Sequence, residues 1–116
     1  MKYHNKKVVR DGETFDSVKE YRRFCELLLL EKGGVISDLQ RQVKYVLIPS
    51  QYQECGKKKK CIERECSYIS DFSYFDSDGK LHVEDVKGYK GGGAYAVFKI
   101  KRKLMLYMHN IIVEEV

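Results

Sequence analysis

The sequence predicts one domain of the α/β (α+β) class, spanning 1–116, with elements in the order α-β-β-β-α-β after a small N-terminal hairpin. Three observations predict it. Two windows, about 17–32 and 94–109, repeat apolar residues at helical spacing. Between them, residues 68–75 and 80–87 are rich in aromatic and β-branched types around a strong turn, Asp76-Ser77-Asp78-Gly79. At 116 residues the chain supports a single modest core, and no internal repeat or linker divides it.

Taken in order, the chain opens with a basic arm, Lys2 to Lys7, interleaved with Tyr3 and His4. A frayed, solvated terminus is the simpler reading of it, and contact with phosphate the other. Val8 to Arg10, Asp11-Gly12 and Glu13 to Phe15 read as a minor hairpin. A helix is expected from Ser17 to Lys32, stopped by Gly33-Gly34. Val18, Tyr21, Cys25, Leu28 and Leu29 form its apolar stripe, which Phe24, Leu27 and Leu30 widen, predicting burial on more than one side. Ser17-Val18-Lys19-Glu20 fits a capping box, in which Glu20 reaches back to the backbone at Ser17.

Residues 35–39 make a short extended piece, and 42–48 a strand ended by Pro49. From Ser50 the pattern breaks into a loop ending in Lys57, Lys58, Lys59 and Lys60. Such a run is either plain solvation or a track for phosphates, and the sequence leaves both open. Gly88 to Gly93 is a glycine-rich loop without P-loop spacing (GxxxxGK followed by Ser or Thr), so no nucleotide cofactor is expected. In the second helix, Ala94 to His109, Val97, Ile100, Leu104 and Met108 share one face. Lys99, Arg102 and Lys103 share another, which is either solvated or a surface for a polyanion's backbone. Ile111 to Glu114 closes the chain as a strand.

Composition narrows the class. Hydrophobic content of 43% with 34% charged residues is that of a folded globular chain. The net charge of +5 and a pI near 9.0 suit a polyanionic partner without demanding one. No apolar run approaches the ~20 residues a membrane span needs, and the N-terminus lacks a signal-peptide core, so no membrane association is expected. Cys25, Cys55, Cys61 and Cys66 form no CxxC pair and read as thiols. A zinc site at Cys55, Cys61 and Cys66 is disfavoured by irregular spacing and the lack of a nearby His.

The chemistry concentrates in the central hairpin. A three-residue loop, Ser77-Asp78-Gly79, with Gly79 left-handed, sets Asp76 opposite Lys80, Asp71 opposite Asp85, and Ile69 opposite Lys87. Opposite side chains on an antiparallel pair lie ~4.5–5.5 Å apart, so two carboxylates there repel unless a cation intervenes. A divalent metal and Lys87 are the candidates. Phe75, Leu81 and Val83 fall on the same face toward the turn. The competing reading is that these acids are solvated or capped. A two- or four-residue loop would instead set Glu84 on the face of Asp71.

Asp71, followed by a strand carrying Asp85-Val86-Lys87, resembles the signature of the PD-(D/E)xK nuclease superfamily, which includes many restriction enzymes and Holliday-junction resolvases. Phe15-Asp16-Ser17 with Glu20, Ile36-Ser37-Asp38-Leu39-Gln40, and Val83-Glu84-Asp85-Val86-Lys87-Gly88 together resemble a small phage and prophage branch of it. Ser70 stands where the superfamily's nominal proline would be. The resemblance spans nearly the whole chain and implies a restriction-endonuclease-like αβββαβ core, a mixed sheet flanked by two helices.

It further implies a Mg²⁺-dependent endodeoxyribonuclease in which Mn²⁺ substitutes, leaving a 5′-phosphate and a 3′-hydroxyl. Asp71 and Asp85 would hold the metal, with the Val86 carbonyl and Glu20 as additional ligands, and Lys87 would stabilise developing charge. Lys57, Lys58, Lys59, Lys60, Lys99, Arg102 and Lys103 would contact DNA. By the same likeness the substrate is branched DNA, the enzyme a homodimer, and its setting the cytoplasm of a phage-infected or lysogenic host. Two other classes stay open: a non-catalytic DNA-binding module, and a phage protein that binds a host protein.

Overall fold

The computed structural model describes residues 7–10, 12–88 and 90–116. The basic arm therefore lies outside the described residues, except for Lys7. A minor hairpin, β1 (Val8–Arg10) and β2 (Glu13–Phe15), leads into helix α1 (Val18–Lys32). Ser17 caps α1, its Oγ accepting the Glu20 N–H at 3.1 Å. Five strands follow: β3 (Ile36–Arg41), β4 (Lys44–Ile48), β5 (Gln51–Cys55), β6 (Lys58–Glu63) and β7 (Cys66–Ile69). The central hairpin is β8 (Phe72–Asp76) and β9 (Leu81–Asp85). Helix α2 (Gly92–His109) and β10 (Val113–Glu115) end the chain.

The turn between β8 and β9 sets the register of the main sheet. Gly79 takes the left-handed conformation (φ 79°), and the Asp76 N–H donates to the Lys80 carbonyl at 2.9 Å. Phe72 then faces Glu84 and Phe75 faces Leu81, which is the register of the three-residue loop. The sheet order is β10-β9-β8-β3, antiparallel except for β10, which runs parallel to β9.

Its two faces carry separate cores. Val83 packs with Phe98 and Met105 of α2, Leu47, Tyr68 and Val113. Phe72 and Tyr74, which point the other way, pack with Leu27 of α1 and Ile36. The two helices thus cover opposite faces of a mixed sheet.

The stretch 50–60, expected as a loop, is instead the tip of a long arm. Strands β3-β4-β5 and β6-β7-β8 keep one antiparallel register from Ile36 opposite Asp76 to Cys55 opposite Lys58, broken by one-residue shifts. Gln42, left-handed at φ 52°, marks where this ribbon leaves the sheet, and Gly56 (φ 66°) helps it turn at the tip. Its middle, β4 and β7, is held to α2 through Leu47 and Tyr68. Every residue from 51 to 65 is exposed. Local propensity missed these strands because neither face is buried, so nothing forces the apolar alternation that reveals a strand.

Ser70 stands where its backbone N–H is needed. It is fully buried, and its N–H donates to the Val43 carbonyl at 2.9 Å. A proline there would have no hydrogen to give.

Both helices bury less than their composition suggests. On α1 the inward side is Glu20, Phe24 and Leu27, while Leu28, Leu29 and Leu30 are exposed, so burial is one-sided. On α2 the inward residues are Phe98 and Met105, with Tyr95 and Leu104 beside them. Val97, Ile100 and Met108, which share a face with Leu104, are 52%, 60% and 49% exposed. Each helix meets the sheet along a narrow line, and the apolar residues exceed what that line covers.

Candidate active site

The site forms where β8 begins, β9 ends and α1 starts. Asp71 sits in the bend just before β8, Asp85 is the last residue of β9, and Glu20 lies in the first turn of α1. With Val86, Lys87 and Ala94 they line a cleft of about 420 Å³.

The protein engages most of the carboxylate oxygens. Asp71 Oδ2 accepts the Val86 N–H at 2.7 Å, so the backbone leaving β9 ties the two strands together. Asp85 Oδ2 accepts the Tyr68 hydroxyl at 2.7 Å, and Asp85 Oδ1 pairs with Lys87 Nζ at 2.7 Å. Lys87 Nζ also stands 3.5 Å from the centre of the Phe98 ring, which helps fix the ammonium from the α2 side. The Lys87 carbonyl accepts from Lys19 Nζ, and its N–H donates to the Val116 carbonyl at 3.0 Å. Ile69 does not oppose Lys87, because the chain diverts into the arm at Ser70 and β9 ends at Asp85.

Glu20 lies at both places weighed for it, at the start of α1 and in the cleft. Its Oε2 accepts the Asp16 N–H at 2.9 Å, one residue before the expected capping-box partner, and it is buried against Asp71. Arg41 Nη2 stands 3.7 Å from the same oxygen. Burial, the hydrogen bond with Glu20 and the charges of Asp85 and Glu20 push the Asp71 carboxyl up to about 8, against the Val86 N–H, which lowers it. Crowded, buried acids of this kind are the donor chemistry that a hard divalent cation requires. In this arrangement no three His, Cys, Asp or Glu side chains among the described residues converge as a metal-ligand group.

Glu84 is on the opposite face. It is 1% exposed, accepts from Arg23 Nε at 2.8 Å and Nη2 at 2.6 Å, and takes the Tyr74 hydroxyl. Glu84 is thus committed to α1, and Asp85 is the acid that faces Asp71.

The expected basic residues are scattered. Lys58, Lys59 and Lys60 line β6 at the arm tip, with Lys57 in the turn. Lys99 and Lys103 are exposed on α2, whereas Arg102 Nη1 turns to Glu115 at 3.0 Å. Three partners of the acids escaped the sequence. Tyr68 lies three residues before Asp71, an odd spacing that would separate them in a straight strand, and the bend at Ser70 overrides it. Arg41 and Arg23 approach the acids across the fold, and no local pattern marks such a partner.

No curated protein and no solved structure matches the chain. Residues 1–113 match the model of the family described as Protein of unknown function (DUF1064), and the chain belongs to that family.

Proposed function

We propose that this protein is a metal-dependent endodeoxyribonuclease of the PD-(D/E)xK type, acting on branched DNA. The observation that carries the reading is the single cleft that gathers Asp71, Asp85, Glu20 and Lys87 from three separate elements. The element order supports it: α1, the antiparallel run β3-β8-β9, then α2 and a parallel β10 follow the order that the resemblance implies. Asp71 and Asp85, with Glu20 and the Val86 carbonyl, would hold Mg²⁺ or Mn²⁺. That ion, when bound, supplies polarisation of the phosphate and a more acidic water.

The chain's own residues do the rest. Tyr68 orients Asp85, and the Val86 N–H orients Asp71. Lys87, paired with Asp85, presents its Nζ to a phosphate oxygen and stabilises the charge that builds as the bond breaks. An intracellular homodimer is part of the proposal. The apolar side of α2 at Val97, Ile100 and Tyr107, exposed in one copy, supports a second copy docking there.

One observation favours the non-catalytic DNA-binding module instead: both oxygens of Asp85 already have protein partners. Incubation with linear, nicked, flap and four-way-junction DNA, with and without Mg²⁺, separates the two. Metal-dependent cleavage leaving a 5′-phosphate is expected, and its loss in Asp71→Asn and Asp85→Asn. Lys87→Ala should slow cleavage by ~10²–10³ while DNA affinity changes little. Salt-dependent binding with no cleavage under any metal would establish the binding module.

A further inference from the structure

The arm is the largest feature the cleft does not use. Its tip, β5 and β6, is exposed throughout, and its base joins the acids directly: β7 ends two residues before Asp71, and the Gln42 N–H donates to the Asp71 carbonyl at 3.2 Å. Whatever the tip holds is therefore tethered to the cleft by a continuous hydrogen-bonded ribbon.

The tip's two faces differ in charge. Lys60 pairs with Gln53 and Lys58 with Cys55, so toward the tip one face presents two lysines and an amide, with Glu63 opposite Gln51 on the side nearer the base. On the other face Lys59 lies directly opposite Glu54, and Cys61 opposite Tyr52. Among the described residues, none of Lys57, Lys58, Lys59 and Lys60 forms an ion pair with a carboxylate. At the base, by contrast, Lys44 pairs with Glu65 at 2.5 Å. Positive charge left unpaired on one face of a projecting ribbon matches a polyanion wider than the ribbon itself.

We infer that the Lys58–Lys60–Gln53 face of this arm lies in the major groove of duplex DNA flanking the cleavage site and measures off a length of it. This rests on the nuclease reading and adds the substrate's required form. The B-DNA major groove, ~12 Å wide, admits a two-stranded β-ribbon. The A-form major groove of double-stranded RNA is too narrow and deep for one. From Asp71 to the turn at Gly56 a strand at ~3.3 Å per residue, shortened by its kinks, spans roughly 30–45 Å, or roughly 9–13 base pairs. Lysines at the tip would grip phosphates at that distance, while Gln53 has the donor and acceptor to meet a base edge.

The test uses full-length protein, with binding to duplex DNA read by fluorescence anisotropy without Mg²⁺ and cleavage read with it. Substrates carry 5 or 20 base pairs beside the cleavage site. The parent protein should bind and cut the long-flank substrate at least tenfold better. Lys58→Glu/Lys60→Glu should remove that advantage, lower long-flank affinity at least tenfold and flatten its salt dependence, while its thermal melt stays that of the parent. Lys32→Glu/Lys80→Glu, with the same change in net charge away from the arm, should keep the advantage. Lys59→Glu should cost less than the double variant, and double-stranded RNA should not compete.

Cleavage without any flank-length dependence, or an unaffected Lys58→Glu/Lys60→Glu, would overturn the inference and leave the nuclease reading standing. Equal competition by double-stranded RNA would overturn the groove assignment. A parent protein that neither binds nor cuts DNA would remove both readings together.

Discussion

Glu84 and Asp85 are neighbours in the chain with opposite fates, and the difference is testable. Glu84 is buried in a bonded group with Arg23 and Tyr74, so Glu84→Gln removes the charge that holds the half-buried Arg23 guanidinium there and leaves it only Glu26. Its expected cost is about 2–3 kcal/mol of stability, read by denaturant unfolding, with cleavage retained in the folded fraction. Asp71→Asn should behave in reverse. Its folded pKa, about 8, lies above the ordinary 3.8, so the stability it contributes is complete below that ordinary value and lost as pH rises through the folded one. Asp71→Asn should therefore melt no lower than the parent at pH 9 without metal, while losing cleavage. A fall of several degrees there would show that the Asp71 charge is stabilised by something other than a cation. The Asp71–Asp85 pairing was legible because the turn Asp76-Ser77-Asp78-Gly79 is local chemistry, and a turn counts residues. Tyr68 was not legible, because its approach to Asp85 depends on a bend at a buried serine that alternation cannot register.

Individual elements show where local rules hold and where they fail. Ser17 caps α1 as the sequence predicts, while Glu20 reaches back to Asp16 rather than Ser17 and also touches Asp71, so a single residue starts the helix and completes the cleft. Glu20→Gln should cost on the order of 1 kcal/mol by weakening the cap, and slow cleavage far more than that loss of stability explains. A melting shift with a normal rate would confine Glu20 to capping.

On the other face, His82 of β9 bridges two strands, Nε2 to Asp76 Oδ2 and Nδ1 to Glu114 Oε2, both at 2.8 Å. The hydrogen bond to Asp76 and the Glu114 carboxylate raise its pKa above the ordinary 6.5, against the burial that lowers it. The stability from charged His82 is thus complete below that value and lost as pH rises through the folded one. Thermal melts should show that decline, and His82→Gln should flatten it. The helix faces were the least legible part. Leu29 and Ile100 have the right spacing for a core, but which stripe turns inward is decided by the sheet each helix meets.

Across the whole molecule, one long hairpin organises everything from Ile36 to Asp76. One end supplies two strands of the central sheet, the middle closes over α2, and the tip stands free. Sequence reading recovered the sheet end because one side of each strand there is buried. The free end has no such constraint and was read as a loop. That freedom has a cost. A two-stranded ribbon has two open edges of unpaired backbone groups, a ready template for the same ribbon of another copy. Tyr52 and Ile62 are exposed along it and would favour such stacking. Lysines in sequence prevent it by keeping like charges apart, so charge-neutral replacement should expose the protein to self-association. Lys57→Gln/Lys58→Gln/Lys59→Gln/Lys60→Gln should form larger species with rising concentration in sedimentation or light scattering. The parent should do so when salt near 1 M shortens the screening length to ~3 Å. If the neutral variant stays as dispersed as the parent, the edges are protected by twist rather than by charge.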